Sequence, residues 1–139
     1  MKKINLHLYA IAFMLNGCGE ANDMSEIYFE SKEVKVSVVL SKVEKDKNAN
    51  YSVIYGKIAL TPQASVKNYV DLSCFQLGLG SETTSNIYID SVASFNPERM
   101  LLNQDGKLDY KVHWNIDKQV ETEDLRRFSI VKVKENCLY

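Results

Sequence analysis

Leu108-Asp109-Tyr110-Lys111-Val112-His113-Trp114-Asn115-Ile116 is the stretch that decides the fold class. Leu108, Tyr110, Val112, Trp114 and Ile116 occupy every second position, and Asp109, Lys111, His113 and Asn115 fill the places between, with Asp117 continuing the polar series. A period of two puts successive side chains on opposite faces of an extended chain, so the stretch predicts a strand with one dry and one wet side. A helix would need apolar residues at spacings of three as well as four, and no two of these are three apart.

The same alternation recurs upstream. Val34, Val36, Val38 and Leu40 share one face, with Glu33, Lys35, Ser37 and Val39 on the other, and Ile54, Gly56, Ile58 and Leu60 repeat the pattern within Tyr51 to Thr61. Val70, Leu72 and Cys74 predict a shared face in a strand over residues 66–79, and Ile87, Ile89 and Ser91 another. A last strand passes through Phe128, Ile130 and Lys132, with Val131 and Val133 opposite. Turn-forming residues separate the runs: Lys47-Asn48-Ala49-Asn50, Thr61-Pro62, Gly78-Leu79-Gly80-Ser81, Asn96-Pro97-Glu98 and Gln104-Asp105-Gly106-Lys107. Asp105-Gly106 is a hairpin signal between Leu102 and Leu108. Lys42, Glu44, Lys45, Asp46 and Lys47 alternate in sign and read as a solvated turn. Lys118 to Arg127 has helix-forming composition and reads as a helical turn or a charged loop. Six to eight short strands with no long helix predict an all-β, immunoglobulin-like antiparallel β-sandwich, with a small β-barrel as the alternative.

The N-terminal end has a different character. Met1-Lys2-Lys3 is basic, residues 6–15 (LHLYAIAFML) are mostly apolar, and Leu15-Asn16-Gly17-Cys18 follows. These are the zones of a secretory signal. The ten-residue run is shorter than the roughly 20 residues a permanent transmembrane helix needs. The tetrapeptide resembles the lipobox of bacterial lipoproteins, with Leu15, Gly17 and Cys18 at the matching positions. Asn16 stands where that family usually carries Ala, Ser or Thr, and His7 interrupts the apolar run. The resemblance covers only this leader. It implies cleavage before Cys18, acylation of its thiol, and attachment to a membrane from outside the cytoplasm through two or three acyl chains. Gly19 in place of Asp favours the outer membrane by the same analogy. The expected organisation is a signal peptide over 1–17, Cys18 and a polar tether over 18–26, and a single domain over 27–139.

With Cys18 assigned to lipid, Cys74 and Cys137 remain as an even pair in a chain expected to be exported, and a disulfide between them is predicted. A loop of about 60 residues closed in this way stabilises a fold by roughly 4 kcal/mol on the chain-entropy account.

Composition excludes some classes. The chain has 139 residues, enough for one domain, with 25% charged residues and a formal net charge of -1. Loss of the leader removes Lys2 and Lys3 and leaves 15 basic against 18 acidic residues. No general attraction for nucleic acid follows from such a balance. Motifs for chemistry are sparse. His113 is the one histidine after the leader, on the wet face beside Trp114, and no Gly-x-Ser-x-Gly elbow accompanies it. Closely spaced Cys and His ligands for zinc are lacking, and a calcium loop through Asn103, Asp105 and Gly106 would begin at Leu101 and end at Val112, neither of which offers a side-chain oxygen. No cofactor is expected. Gly78-Leu79-Gly80-Ser81 lacks the lysine of a phosphate cradle, and the bacterial origin that the leader's resemblance implies would make the sequon Asn50-Tyr51-Ser52 incidental.

Tyr28, Tyr51, Tyr55, Tyr69, Tyr88 and Tyr110, with Trp114, are the remaining clue, since tyrosines on an exposed sheet face form binding surfaces. They also suit half-buried cross-strand pairs. The expectation is therefore a non-enzymatic, lipid-anchored envelope protein that binds another envelope component, protein or glycan, through a sheet edge or loop end. The alternatives are a small hydrolase built around His113 and an inhibitor of a host or rival enzyme.

Overall fold

The computed structural model describes residues 24–63, 68–90, 96–103, 105 and 107–139. The leader with Cys18, the tether up to residue 23, Val66, Ser91, and Gln104 and Gly106 of the expected turn lie outside them.

Three strands open the fold as an antiparallel meander: β1 (Ser25–Glu30), β2 (Val34–Asp46) and β3 (Tyr51–Pro62). Between the first two, Ser31 closes a tight turn, its N–H donating to Val34 O at 2.9 Å and its Oγ accepting from Val34 N at 3.2 Å. Between the next two, Asp46 Oδ1 accepts from Asn48 N at 2.9 Å, and Asn50 takes the left-handed conformation (φ 45°) that asparagine tolerates. Strand β1 begins two residues ahead of the expected domain boundary, because Ser25 and Glu26 pair with Leu40 and Val39.

Seven further strands follow. They are β4 (Tyr69–Val70), β5 (Phe75–Leu79), β6 (Glu82–Thr83), β7 (Tyr88–Ile89), β8 (Met100–Leu101), β9 (Leu108–Ile116) and β10 (Ser129–Lys132). One sheet has the order β1-β2-β3-β9-β7, a second β10-β5-β6, and a third pairs β4 with β8. All the pairings are antiparallel, and β1 and β7 are open edges, so no barrel closes among the described residues. The all-β sandwich read from the sequence is the fold. Six strands are four residues or longer, and the excess over the expected number consists of the two-residue pieces β4, β6, β7 and β8.

Alternation explains the core. Val34, Val36, Val38 and Leu40 of β2, Ile54, Ile58 and Leu60 of β3, and Leu108, Val112, Trp114 and Ile116 of β9 all point inward and are buried. Phe75, Leu77, Leu79 and Ile130 meet them from the second sheet. Each such side chain contributes about 1.5–3 kcal/mol when removed from water. Trp114 joins the two layers, its indole N–H donating to Phe75 O at 3.2 Å. Ser52 is a buried hydroxyl with both capacities used, donating to Lys118 O at 2.7 Å and accepting from Val120 N at 3.0 Å.

Four expectations are corrected. The alternating charges from Lys42 to Asp46 form the far end of β2 rather than a turn, because Val43 still points inward opposite Ile54 and holds the run in the sheet. The strand expected over 66–79 is broken after β4 by a 3-10 helix at Leu72–Cys74, whose start is capped by Asp71 Oδ1 accepting from Ser73 N at 2.9 Å. The turn expected at residues 78–81 narrows to Gly80 and Ser81, with Gly80 left-handed at φ 63° and Gly78 and Leu79 inside β5. The turn before β9 exists, closed by Asn103 N donating to Lys107 O at 3.0 Å, but it does not join a hairpin. Strand β8 pairs with β4, while β9 is flanked by β3 and β7.

Cys74 and Cys137 are joined in a disulfide, with a Cα–Cα distance of 6.0 Å. It fastens a C-terminal segment that lies along β4: Leu138 bridges Val70, Asp71 N donates to Cys137 O at 2.8 Å, and Tyr69 and Tyr139 exchange backbone hydrogen bonds of 2.8 and 3.0 Å. The charged stretch 118–127 resolves into a 3-10 helix at Thr122–Arg127. No helix of the described residues is long and apolar enough to cross a membrane.

Candidate functional site: a bulged, aromatic and basic sheet face

The register of β2 against β3 slips between Leu40 and Lys42. Ser41 is the extra residue of this bulge, and it exchanges the faces of β2: Lys35, Ser37 and Val39 point outward before it, Lys42 and Glu44 after it. Gly56 permits the distortion. A Cβ on that residue would lie 2.6 Å from Val39 O, a backbone atom that cannot swing aside, so β2 and β3 approach here only because the side chain is missing.

The bulge dents the outer face of the five-stranded sheet. The resulting open groove of about 520 Å³ is lined by Met24, Val39, Ser41, Lys42, Tyr55, Gly56, Lys57, Asp90 and Lys111. Cross-strand pairing arranges the outer face around it in two rows. Lys42, Tyr55, His113 and Tyr88 form one, through the pairs Lys42↔Tyr55, Tyr55↔His113 and Tyr88↔His113. Val39, Lys57 and Lys111 form the next, through Val39↔Lys57 and Lys57↔Lys111.

In the first row, the Tyr88 ring stacks on the His113 imidazole at 4.9 Å between centroids, and Tyr55, on the opposite neighbouring strand, leans on the same imidazole at 5.6 Å. Lys42 Nζ sits 4.7 Å from the centre of the Tyr55 ring, a cation–π contact. Glu44 ties the end together, accepting from Lys42 at 2.9 Å and from Tyr55 Oη at 3.1 Å. The ammonium of Lys42 and the phenol of Tyr55 hold the Glu44 carboxyl below its ordinary range, and Glu44 holds Lys42 above its own. Burial, then the bond to Glu44, raises Tyr55, which stays a neutral phenol. His113 Nδ1 is hydrogen-bonded to Asp90 Oδ1. The histidine expected to stand exposed on the strand is therefore half-buried and fixed on two sides.

This geometry assigns His113 a carboxylate partner but no nucleophile among the described residues. Ser41 Oγ donates to Tyr55 O at 3.3 Å, and Ser85 Oγ to Asn86 O at 3.1 Å. A second polar cluster, which sequence spacing gave no sign of, lies beside the disulfide. Ser73 Oγ donates to Asp71 Oδ1, while Lys134 Nζ donates to Ser73 Oγ at 2.6 Å and to Asp71 Oδ2 at 3.1 Å. Although serine and lysine are adjacent, the hydroxyl proton is directed at the carboxylate, the ion-paired ammonium offers no base, and Ser73 is only 1% exposed. The cluster clamps the C-terminal segment to the start of the 3-10 helix.

Of the aromatics singled out from sequence, Tyr55 lines the groove and Tyr88 stands farther along the same row, stacked on His113. Trp114 is core; Tyr69 stacks on Tyr139 at 6.0 Å and lies under the Arg99 guanidinium elsewhere; Tyr28, 68% exposed, is hydrogen-bonded to Glu26. Cys74 and Cys137 are brought together and lie away from this face. The bulge went unread because a one-residue slip leaves no mark in the hydrophobic pattern except a change of parity, from Leu40 to Val43, inside a charged stretch.

Compared with protein-family models, curated proteins and solved structures, the chain matches none of them.

Proposed function

We propose that the protein is a lipid-anchored bacterial envelope component whose sandwich acts as a non-enzymatic binding module, with the bulged outer face of β2, β3 and β9 as its binding surface. The observation that carries this reading is the pair Lys57↔Lys111. Like charges directly opposite on a sheet destabilise it by a few tenths of a kcal/mol to about 1 kcal/mol. Beside them the bulge, Gly56 and the row of aromatic rings add nothing to the buried core, so the fold retains features that favour an occupant at the expense of the empty state.

The anchor rests on the leader. Leu15, Gly17 and Cys18 supply the acylation signal, and Gly19 favours the outer membrane. The Cys74–Cys137 disulfide supports an oxidising compartment. Intact-mass measurement of membrane-extracted protein tests the anchor: the expected species begins at Cys18 and carries acyl chains, and an unmodified chain beginning at Met1 refutes it.

Pull-down from the native envelope tests the binding surface. The wild-type protein should retain a partner that a Tyr88→Ala, Lys111→Glu variant of unchanged stability loses; equal retention by both refutes this face as the site. For the hydrolase alternative, turnover by the purified protein that His113→Ala abolishes would replace the binding reading with an enzymatic one.

A further inference from the structure

The proposed binding face also constrains the chemistry of its occupant, an inference that rests on the reading above. Three ammonium groups, from Lys42, Lys57 and Lys111, line the groove against one carboxylate, from Asp90. The cations are not equally committed. Lys42 is paired with Glu44 at 2.9 Å, and Lys57 has Asp109 at 3.4 Å, a contact between two side chains each more than half exposed and therefore weak. Lys111 has no ion-pair partner among the described residues, and its cross-strand neighbour is another lysine. An anionic group between Lys57 and Lys111 would relieve that repulsion.

A simple polyanion is a poor match for the rest of the surface. Asp90 lines the groove, Glu44 stands beside it bonded to Lys42 and Tyr55, Asp109 and Glu26 are on the same face, and together they repel a string of phosphates. These carboxylates do suit a ligand that brings hydroxyl donors. Asp90 Oδ1 is taken by His113, which leaves Oδ2 as an acceptor. Tyr55, with Val39 and Met24, supplies apolar surface between the charged groups, of the kind on which the C–H face of a sugar ring rests. The groove is shallow and open, and at about 520 Å³ it falls within the range of small-ligand sites.

We infer that the groove binds an acidic glycan: a saccharide whose carboxylate sits between Lys57 and Lys111, whose ring lies against Tyr55, and whose hydroxyls donate to Asp90 and Glu44.

The test is calorimetric titration of the mature membrane-extracted protein in neutral detergent with three probes: a hexamer of galacturonic acid, the carboxyl-reduced neutral hexamer, and linear polyphosphate. The uronate hexamer should bind at least tenfold more tightly than either of the others. Lys57→Ala and Lys111→Ala should each weaken uronate binding about fivefold or more without lowering the unfolding midpoint, while Lys35→Ala, on the same face beyond the groove, should leave binding unchanged. Equal binding of the neutral hexamer, binding of polyphosphate as tight as that of the uronate, or indifference to both lysine variants overturns the inference. If no saccharide binds while the envelope pull-down still distinguishes the wild type from the Tyr88→Ala, Lys111→Glu variant, the glycan inference fails and the binding-module reading stands. If neither experiment responds, both fail.

Discussion

Replacing Cys74 and Cys137 together by Ala removes a covalent link between residues 63 positions apart. The folded state should change little. The C-terminal segment keeps its backbone bonds to Tyr69 and Asp71 and the clamp from Lys134, and each substitution deletes one sulfur from a buried site. The effect falls on the unfolded chain, which gains the freedom of a loop of about 60 residues, worth roughly 4 kcal/mol at room temperature on the entropy account. Domains of this size are stable by about 5–15 kcal/mol, so the loss is a large share of the total. With a urea slope of about 1.5 kcal/mol/M, the midpoint should drop by between 2 and 3 M. Urea unfolding followed by near-ultraviolet circular dichroism checks this. A native spectrum with a midpoint lowered by that amount is expected, and a loss below about 1 kcal/mol would refute the reasoning. Both sulfurs are fully buried, so reductant should open the bond in the native protein no faster than the domain unfolds.

Three further outcomes follow from single contacts. Ser52→Ala leaves Val120 N and Lys118 O without their partner in the interior and should cost about 2 kcal/mol by the same urea assay. Gly56→Ala forces a Cβ against Val39 O and should cost about 1–3 kcal/mol; amide chemical shifts around Ser41 should move as β2 is pushed away, and an unperturbed Ser41 would sink the account of the bulge. The Asp124 carboxyl is held below its ordinary range, first by the backbone N–H of Glu121 and then by Arg127. A depressed carboxyl stabilises the fold above the ordinary aspartate range and loses that contribution as pH falls below about 4. Unfolding of Asp124→Asn should accordingly depend less on pH between about 2 and 4 than that of the wild type.

The sandwich was legible where one face of a strand is dry along its whole length. Val34 to Leu40 and Leu108 to Ile116 gave their inward faces directly, because an error of one residue would turn four or five core side chains into water. Legibility failed where a local capping residue overrode the pattern. Val70, Leu72 and Cys74 do share the interior, but Asp71 captures the Ser73 amide and coils the chain between them, so burial was read correctly and the element was not. Gly80 and Ser81 were found within a longer expected turn, since a left-handed glycine marks a tip without marking where pairing resumes. The candidate site was half visible. His113, Tyr55 and Tyr88 stood out as residue types, but their alignment depends on register across β2, β3, β9 and β7, and the groove depends on the Ser41 slip. Lys57 and Lys111 carried no signal at all, because 54 positions separate them in the chain.

The pairing of the C-terminal segment with β4 sets an order of assembly. The β1–β2–β3 meander involves neighbours only and completes once residue 62 is available, whereas β5 waits for β10 and Cys74 waits for Cys137, more than fifty residues later. Throughout that interval Cys74 is an unpartnered thiol on an incomplete domain. Three thiols allow three different bridges, two of them wrong. A lipid on Cys18, as proposed, would remove both wrong choices, so the anchor would also act as a protecting group that leaves Cys74 and Cys137 only each other.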